Sequence, residues 1–254
     1  CGRVRAELGW PIQVTPFAQL IGVQATLNVI AGERYARVVE TVRETALRCG
    51  RDPAEVRLIG VTKTVGRPEV DAAYAAGLRD FGENRVQDAQ EKFSPVLPAD
   101  ARLHLIGHLQ TNKVRPAVKL FDFIHSVDRS SLLFALDREA ARQDREMAVL
   151  IQVNVAAEPQ KHGCRPEELP ALLDAADGLD HVRVVGLMTI APLVDDADEV
   201  RWVFRSLREL RDEMRHAIPR AQLTELSMGM TNDFTVAVEE GATMVRVGRA
   251  IFGS

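Results

Sequence analysis

Lys63 is the first residue in this chain whose type and position suggest chemistry. It ends an apolar run, Leu58-Ile59-Gly60-Val61-Thr62-Lys63. If that run is a buried strand, the amine lies at the rim of a sheet and is partly shielded from water. Desolvation favours the neutral amine, which is the form that attacks a carbonyl group to make a Schiff base. Taken alone, Lys63 is better explained as a lysine that has reached solvent, and only motifs later in the chain reverse that interpretation.

Two glycine turns near the C-terminus could bind an anion. The first lies in Ser227-Met228-Gly229-Met230-Thr231-Asn232-Asp233 and offers the Ser227 hydroxyl, a close backbone approach at Gly229 and the unpaired N–H groups of a helix start. The second is Arg246-Val247-Gly248-Arg249. Either turn alone is common for purely structural reasons. If they follow the last two strands of a (β/α)₈ barrel, however, they lie where such barrels commonly bind phosphate.

The composition argues against several classes of partner. A net charge of -4 gives no general attraction to nucleic acid or to an anionic membrane, since both require a basic face. Residues 17–31 are too few and too polar to span a bilayer. The 3 cysteines lie far apart and show no metal-binding spacing, so we expect free thiols in a reducing, cytoplasmic compartment.

The remainder of the sequence predicts the scaffold that positions these residues. Short apolar, β-branched runs alternate with amphipathic helical patterns, which is typical of a parallel sheet covered by helices. A length of 254 residues matches one barrel of roughly 250 residues. We therefore predict an α/β fold with a single closed (β/α)₈ barrel, and an open doubly wound sheet is the alternative. The predicted strands are 57–61, 80–82, 103–106, 121–124, 148–153, 182–187, 223–226 and 244–247.

Helix signals divide the chain further. A helix additional to the barrel is predicted over 33–48, where apolar residues recur at helical spacing. We interpret residues 1–32 as an N-terminal extension, vector-derived or poorly ordered, and 33–254 as one barrel domain. Residues that could cap or open helices of the barrel are Pro68, Asp128, Pro166 and Thr231.

A barrel places its reactive residues just after the strands, because the loops at that face form the active site. The unusual residues of this chain do follow the predicted strands. They are Lys63, Glu83-Asn84-Arg85, Gly107-His108-Leu109-Gln110, Ser126, Asn154, Met188-Thr189, Ser227-Met228-Gly229-Met230 and Arg246-Val247-Gly248-Arg249. We therefore expect a functional site at the mouth of the barrel.

At this point the chain resembles a known family, the pyridoxal 5′-phosphate (PLP) homeostasis proteins, whose barrel is similar to the N-terminal domain of alanine racemase. The resemblance extends in order from about Glu33 to the C-terminus. The segments that carry it are Gly60-Val61-Thr62-Lys63-Thr64, Phe81-Gly82-Glu83-Asn84-Arg85-Val86-Gln87, His104-Leu105-Ile106-Gly107-His108-Leu109-Gln110-Thr111-Asn112-Lys113, Gly186-Leu187-Met188-Thr189, Leu226-Ser227-Met228-Gly229-Met230 and Met244-Val245-Arg246-Val247-Gly248-Arg249-Ala250-Ile251-Phe252-Gly253.

The resemblance implies a role for each cofactor-binding residue. Lys63 would carry PLP as a Schiff base, and Asn84 would line the ring. Arg246 would face the pyridine nitrogen, where a cation keeps that nitrogen unprotonated and restrains carbanion chemistry. The phosphate would be held by Ser227, Gly229 and Met230 together with the main chain at Gly248 and Arg249.

Two positions depart from the family's pattern. His108 stands where relatives often have proline. Arg249 stands where many have threonine, so a hydroxyl contact to the phosphate is expected to be missing. Neither departure removes the lysine or the backbone cradle.

Two functions compete for this site. A PLP-dependent racemase needs an acid–base group on each face of the substrate, usually the lysine and a tyrosine. The chain has only Tyr35 and Tyr74, both in helical patterns, and no β-rich second domain such as the one that supplies the tyrosine in alanine racemase. We therefore favour a non-catalytic, monomeric carrier that stores, buffers or delivers PLP to apoenzymes, with a racemase-like enzyme as the alternative.

Other candidate residues carry less weight. Lys161 lies in a loop that resembles a lysine–glycine loop of the family and could meet a second anion. The Cys164 thiol is interpreted as inert. Five histidines show no metal-binding spacing and are interpreted as surface or packing residues; they are His104, His125, His162, His181 and His216.

Overall fold

The computed structural model describes residues 17–218 and 222–253. Eight parallel strands pair in chain order, and the first also pairs with the last, so the sheet closes into a barrel. The predicted barrel is therefore confirmed, and the open doubly wound sheet is wrong. The strands are β1 (Arg57–Val61), β2 (Asp80–Glu83), β3 (Arg102–Leu105), β4 (Phe123–Val127), β5 (Met147–Gln152), β6 (Val182–Met188), β7 (Glu225–Ser227) and β8 (Met244–Val247).

Helices connect the strands and cover the outside of the sheet. The α-helices of the described residues are α1 (Phe17–Arg48), α2 (Arg67–Ala75), α3 (Val86–Lys92), α4 (Val114–Leu120), α5 (Ser130–Arg142), α6 (Leu169–Ala176), α7 (Arg201–Ala217), α8 (Phe234–Glu239) and α9 (Arg249–Phe252). Short 3₁₀ turns precede several of them, at Pro53–Glu55, Thr111–Lys113, Pro166–Glu168 and Ala197–Val200.

The fourth strand is displaced from its predicted position. The sequence predicted it over 121–124, but it spans Phe123–Val127. Phe121 is fully buried as the residue that ends α4 and not as part of the sheet. An apolar run in the sequence indicates that its side chains are buried, but it does not indicate which of its backbone groups pair with a neighbouring strand. The shift places His125 and Ser126 within the strand, where Ser126 had been predicted to follow it.

The predicted helix caps at two positions are wrong. The helix α5 begins after Arg129, and the Asp128 carboxylate instead accepts a hydrogen bond from the Arg129 guanidinium at 2.6 Å. The helix α8 begins after Asp233 and not after Thr231. Cap-type residues follow one another at both places, and the chain path through the loop decides where the helix starts.

The additional helix α1 is longer than predicted. It begins at Phe17 instead of residue 33, so half of the predicted extension is helical; residues 1–16 lie outside the described part. Its buried residues Val38, Val42 and Ala46 face the barrel, and α1 packs against α2, α8 and α9. Among the described residues, no helix is long and apolar enough to cross a membrane.

The barrel interior is apolar on one side and polar on the other. Leu150, Val185 and Met188 form a small cluster separate from the main core. Leu150 shares its face of β5 with Gln152, which lines the barrel mouth, because side chains two apart in a strand point the same way. Aspartate, histidine, serine and arginine side chains occupy the opposite side, and this polar side supports the candidate site.

Candidate functional site

A cavity of about 570 Å³ opens at the carboxyl ends of the strands, a size within the roughly 300–1,000 Å³ typical of small-molecule sites. The loops after β1, β2, β3, β5, β6, β7 and β8 contribute to it, so a cavity lies where the sequence predicted the functional site. Its polar lining residues include Lys63, Thr64, Asn84, His108, Gln152, Gln160, Lys161, His162, Thr231, Asn232, Asp233, Arg246 and Arg249.

Lys63 lies two residues beyond the end of β1 and lines the cavity. Its side chain is exposed, so the expected partial shielding of the amine is not found. Within the described part of the chain the Lys63 amine makes no hydrogen bond or ion pair, whereas Lys161 on the opposite wall is paired with Glu158 at 2.5 Å. Lys63 therefore presents an amine to the cavity that no group of the described residues binds.

The backbone beneath Lys63 is fixed by a buried ion pair. Lys92 Nζ lies 2.5 Å from Glu83 Oε1 and also donates to the Thr62 carbonyl oxygen at 2.5 Å. The Thr62 hydroxyl donates to the same Glu83 oxygen at 2.6 Å. Because Glu83 is fully buried, these bonds tie the residue next to Lys63 to β2 and α3.

Asn84 is held in the cavity wall by a close approach between two loops. A Cβ atom on Gly107 would lie 2.2 Å from the Asn84 carbonyl oxygen and 2.8 Å from its Cα. Only glycine allows the loop after β3 to pass this close to the loop after β2. Gly107 therefore sets the position of Asn84 without contacting a ligand itself.

Arg246 forms the buried floor of the cavity. Its Nη1 donates to Ser227 Oγ at 2.6 Å and its Nη2 to the Thr189 carbonyl oxygen at 2.8 Å. Burial lowers the pKa of Arg246 to about 10, so the guanidinium remains charged at neutral pH. With both terminal nitrogens engaged, this cation is fixed in orientation.

A chain of buried hydrogen bonds continues from Arg246 through the barrel. Ser227 Oγ lies 2.9 Å from His125 Nδ1. His125 Nε2 lies 2.9 Å from His104 Nδ1, and His104 Nε2 lies 2.9 Å from Asp80 Oδ1. A carboxylate only accepts and a guanidinium only donates, so one arrangement with neutral histidines satisfies every bond. In that arrangement His104 donates to Asp80, His125 donates to His104, and Ser227 donates to His125.

The protonation states of His104, His125 and Asp80 fit that arrangement of hydrogen bonds. Burial lowers the pKa of His104 and lowers that of His125 well below its usual range, which keeps both rings neutral. Burial alone would raise the pKa of Asp80. The hydrogen bond from His104 and the nearby guanidinium of Arg102, 2.9 Å away, nevertheless hold it below the ordinary value. The interpretation of His104 and His125 as plain packing residues is therefore incomplete.

The loop after β7 differs from the predicted phosphate cradle. Ser227 is fully buried and its hydroxyl is engaged with His125 and Arg246. Gly229 has φ +90° and packs against α8, where a Cβ atom would lie 2.6 Å from Ala237 Cβ. The Met230 N–H donates to Asp233 Oδ1 at 2.5 Å. The Ser227 hydroxyl and the Met230 N–H thus have partners already, whereas the Gly229 N–H has no acceptor among the described residues.

Further donors without an acceptor lie next to this turn and in the loop after β8, where the N–H groups of Gly248 and Arg249 have none among the described residues. Thr231 lines the cavity and is half-buried. The main-chain N–H groups of Thr231 and Asn232 have no acceptor among the described residues. Arg249, exposed on the same wall, donates to Asn232 Oδ1 at 3.2 Å. Gly248 also lines this wall, and a Cβ atom there would lie 3.3 Å from the Val61 carbonyl oxygen.

The sequence predicts only a helix cap for the Thr231 side chain. Its hydroxyl directly follows the glycine turn, and this position is the signal that could have identified it as a candidate phosphate ligand. The histidine chain was not predicted either, because His104 and His125 lie on different strands. His108 and His162 come from two further loops and stack at 4.0 Å between ring centroids beside the cavity. Spacing along the chain contains no information about such contacts.

Comparison with known proteins agrees with this geometry. The family model described as alanine racemase, N-terminal domain, matches residues 38–254. An alanine racemase of Clostridium difficile superposes over 86% of this chain and 56% of its own, with a TM-score of 0.70. Its sequence identity of 10% means that this likeness shows the fold alone.

Several relatives are much more similar. Proteins named pyridoxal phosphate homeostasis protein from Aquifex aeolicus and Pseudomonas aeruginosa are 43% and 41% identical, over 88% and 87% of this chain and 97% and 94% of theirs. The structure of PipY from Synechococcus elongatus PCC7942 with PLP bound is 41% identical, covers 88% of this chain and 100% of its own, and has a TM-score of 0.77. The chain therefore belongs to the family of pyridoxal phosphate homeostasis proteins, built on the alanine racemase N-terminal-domain fold.

Proposed function

We propose that this chain binds PLP in the mouth cavity, holds it covalently through Lys63, and serves as a non-catalytic PLP carrier. The observation that carries the proposal is the convergence of three groups in one cavity. They are the Lys63 amine, the fixed cation of Arg246, and the N–H groups of Thr231 and Asn232; the amine and the two N–H groups have no partner in residues 17–218 and 222–253. The family membership supports the same cofactor.

The residues present fit each part of PLP. The aldehyde of PLP reacts with an amine that is not held in an ion pair with a carboxylate. Within the described part of the chain, the Lys63 amine makes no such ion pair. A phosphate dianion needs hydrogen-bond donors and positive charge. The N–H groups of Thr231 and Asn232, the Thr231 hydroxyl and the Arg249 guanidinium lie on one wall and supply both.

The phosphate cradle of this proposal differs from the one first expected. Gly248 and Arg249 keep their place in it, because the loop after β8 forms the adjoining wall. Ser227 and Gly229 support the cradle from beneath, and Met230 lines the cavity beside it. Thr231 supplies the hydroxyl that would otherwise be missing because Arg249 stands where many relatives have threonine.

Bound PLP supplies an aldehyde that reacts with amines and an aromatic ring that withdraws electrons. Arg246 would face the pyridine nitrogen as a donor that remains charged. A proton on that nitrogen would meet a fixed positive charge, so Arg246 keeps the ring in its less electron-withdrawing form. Asn84 would contact the ring from the wall formed by the loops after β2 and β3.

A carrier is favoured over a racemase by the position of the tyrosines. Tyr35 lies in α1, and the Tyr74 hydroxyl donates to Asp100 at 2.5 Å on the outside of the barrel. Neither residue lines the cavity among the residues described. A proton taken from one face of a substrate would therefore have no tyrosine on the other face to replace it.

The carrier would act as a monomer in the cytoplasm and pass PLP to apoenzymes. Support for the compartment comes from the thiols: Cys49 and Cys164 are free. Burial raises the pKa of Cys164 to about 12, which agrees with the interpretation of an inert thiol. The exposure of Lys63 at the edge of the cavity supports transfer of PLP to an apoenzyme, because an amine of the apoenzyme could reach a covalent bond at this position.

The test is to identify the lysine that carries the cofactor. The protein is loaded with PLP, reduced with borohydride and examined by peptide mass spectrometry. We expect the pyridoxyl group on Lys63 and its loss in Lys63→Ala, with circular dichroism unchanged because an exposed side chain adds little packing. Lys161→Ala, on the opposite cavity wall, is the matched control and should retain the adduct. An adduct mainly on Lys161 or another lysine would refute the assignment.

A further inference from the structure

Three loops bring potential metal ligands together at the cavity mouth. His108 follows β3, Asp128 follows β4, and His162 lies in the long loop after β5. One side-chain ligand atom of each lies within 4.8 Å of those of the other two. His108 Nδ1 is 3.8 Å from Asp128 Oδ2, and the two imidazole rings are stacked.

Each of these side chains has an electron pair available. A neutral imidazole has a ring nitrogen with a lone pair that can bind a metal ion. Asp128 uses Oδ1 for its bond from Arg129, so Oδ2 is the oxygen that points to the histidines. The imidazole of His162 makes no hydrogen bond or ion pair within the described part of the chain.

We propose that His108, Asp128 and His162 form a binding site for one divalent transition-metal ion of the zinc class. Two imidazoles and one carboxylate suit zinc, nickel and copper, whereas magnesium and calcium prefer oxygen ligands. Three protein ligands leave a fourth position open. Because His108 and His162 both line the cavity, that position faces the cavity.

The site needs a small rearrangement to close around an ion. Zinc bonds of about 2.0–2.1 Å in a tetrahedron place ligand atoms roughly 3.4 Å apart, so the present spacing of up to 4.8 Å must shrink by as much as roughly 1.4 Å. The stacked rings must also turn, since an imidazole binds metal in its own plane. Both histidines are exposed and lie in loops, so rotation meets little packing. Arg129 holds the carboxylate from behind, as outer partners of metal ligands commonly do.

Phenylalanine substitutions separate metal binding from ring stacking. In His108→Phe and His162→Phe an aromatic ring remains to stack on its neighbour, but the ligand nitrogen is lost. Asp128→Asn is a third, isosteric change. His216→Phe is the matched control, because His216 is also exposed but lies on α7.

The untagged full-length chain is titrated with Zn²⁺ by calorimetry and with Co²⁺ by visible absorption. We expect one ion per chain and Co²⁺ bands typical of a low-symmetry, four-coordinate site in the unmodified protein and in His216→Phe. Each of the three site variants should weaken Kd at least about tenfold, since changes to groups merely behind a ligand already cost about 10–100-fold.

Thermal unfolding provides a second readout that does not depend on the cavity's occupant. Saturating Zn²⁺ should raise the Tm of the unmodified chain by mass action, and the same zinc concentration should raise the Tm of each site variant less. The Tm of each variant without metal shows whether it is folded. Equal zinc affinity in all variants would place the ion elsewhere, for instance at the exposed thiol of Cys49, and would overturn the proposal. So would the absence of any binding at micromolar zinc.

Discussion

Two hydroxyl groups near the proposed phosphate-binding end of the cavity have different surroundings. Ser227 is a fully buried member of the hydrogen-bonded chain that fixes Arg246, whereas Thr231 is open to the cavity. The sequence motif contains both residues, and only the direction of β7 decides which one points inward. Substitutions at these two positions should therefore affect different properties of the protein.

We expect Ser227→Ala to reduce stability more than PLP binding. It leaves Arg246 Nη1 and His125 Nδ1 without a partner, and an unsatisfied buried group costs about 1–3 kcal/mol in the free energy of unfolding. Thr231→Val should leave stability unchanged but lose a hydrogen bond to a charged group, worth about 1.5–3 kcal/mol, or roughly 10–100-fold in PLP affinity. Urea unfolding and PLP titration of both variants distinguish the effects; a greater loss of affinity in Ser227→Ala would contradict this assignment.

The two buried histidines should make stability depend on pH. Both have lowered pKa values in the folded chain, so below about pH 6.5 the unfolded chain binds more protons than the folded one. Stability is therefore fully present above about pH 6.5 and is lost as the pH falls toward the folded values, by up to about 1.4 kcal/mol per pH unit for each histidine. The lowered pKa of Asp80 adds a loss only below about pH 4.

Urea unfolding between pH 7.5 and 5.5 measures this effect. His125→Gln should be less stable at neutral pH yet show a shallower pH dependence, because one of the two titrating rings is gone. His216→Gln, which changes an exposed histidine, should keep the slope of the unmodified protein. If His125→Gln also keeps that slope, the buried ring is not the group that titrates.

At the level of secondary-structure elements, the site depends on loops that pass close to one another. Gly107 allows the loop after β3 to contact the backbone of Asn84, and Gly229 allows the loop after β7 to contact α8. The predicted strand β1 and the final strand β8 match the structure from end to end, since both are short, apolar and β-branched. The predicted position of β4 and the caps at Asp128 and Thr231 were wrong, because those features depend on contacts with other elements.

We expect Gly107→Ala to displace the Asn84 loop. Its Cβ atom would lie 2.2 Å from a backbone oxygen, so one loop must move, and such overpacking costs about 1–3 kcal/mol in the free energy of unfolding. Gly178→Ala is the matched control, because nothing lies within 4 Å of its added Cβ atom. That change should alter stability by no more than about 0.5 kcal/mol. Urea unfolding and PLP titration of both variants provide the check, and equal behaviour of the two would rule out the close approach as a constraint.

At the level of the whole molecule, the chain is a barrel without a partner domain over its mouth in the described residues. The cofactor cavity opens between loops, and the aromatic and charged groups around it include no tyrosine. Under the proposed function, such a site would hold PLP and exchange it with an outside amine. Racemisation requires an acid and a base on opposite faces of the substrate, and no tyrosine among the described lining residues could serve as the second group.

We therefore expect no substantial racemase activity toward alanine or other common amino acids. Lys63 can serve one face of a substrate, but Tyr35 and Tyr74 lie on the outer helices α1 and α2. The charged Arg246 would further discourage a carbanion. The assay follows D- and L-alanine by chiral chromatography with the PLP-loaded protein, using a known alanine racemase as positive control. Turnover in the usual enzymatic range of about 1–10³ per second would restore the enzyme hypothesis.

The sequence by itself determined the barrel and the family, and it predicted a cavity at the ends of the strands. These features are local or periodic in the sequence. Apolar runs indicate buried strands, and glycines indicate turns. Short motifs, such as those around Lys63 and Arg246, occur in the same order along the chain as in the family. Lys63 and Arg246 could be proposed as cofactor-binding residues on that basis, and the cavity contains both.

Only the tertiary structure decided which groups meet. The hydrogen-bonded chain from Asp80 to Arg246 joins five strands or loops, and the cluster of His108, Asp128 and His162 joins three more loops. The motif likewise does not show that the Ser227 side chain is buried whereas Thr231 lines the cavity. The physical reason is that closing the barrel brings together strand ends that lie far apart in the sequence, and side-chain direction alternates with every residue of a strand. Which hydroxyl points to a ligand and which is buried thus follows from register, and spacing along the chain does not reveal register.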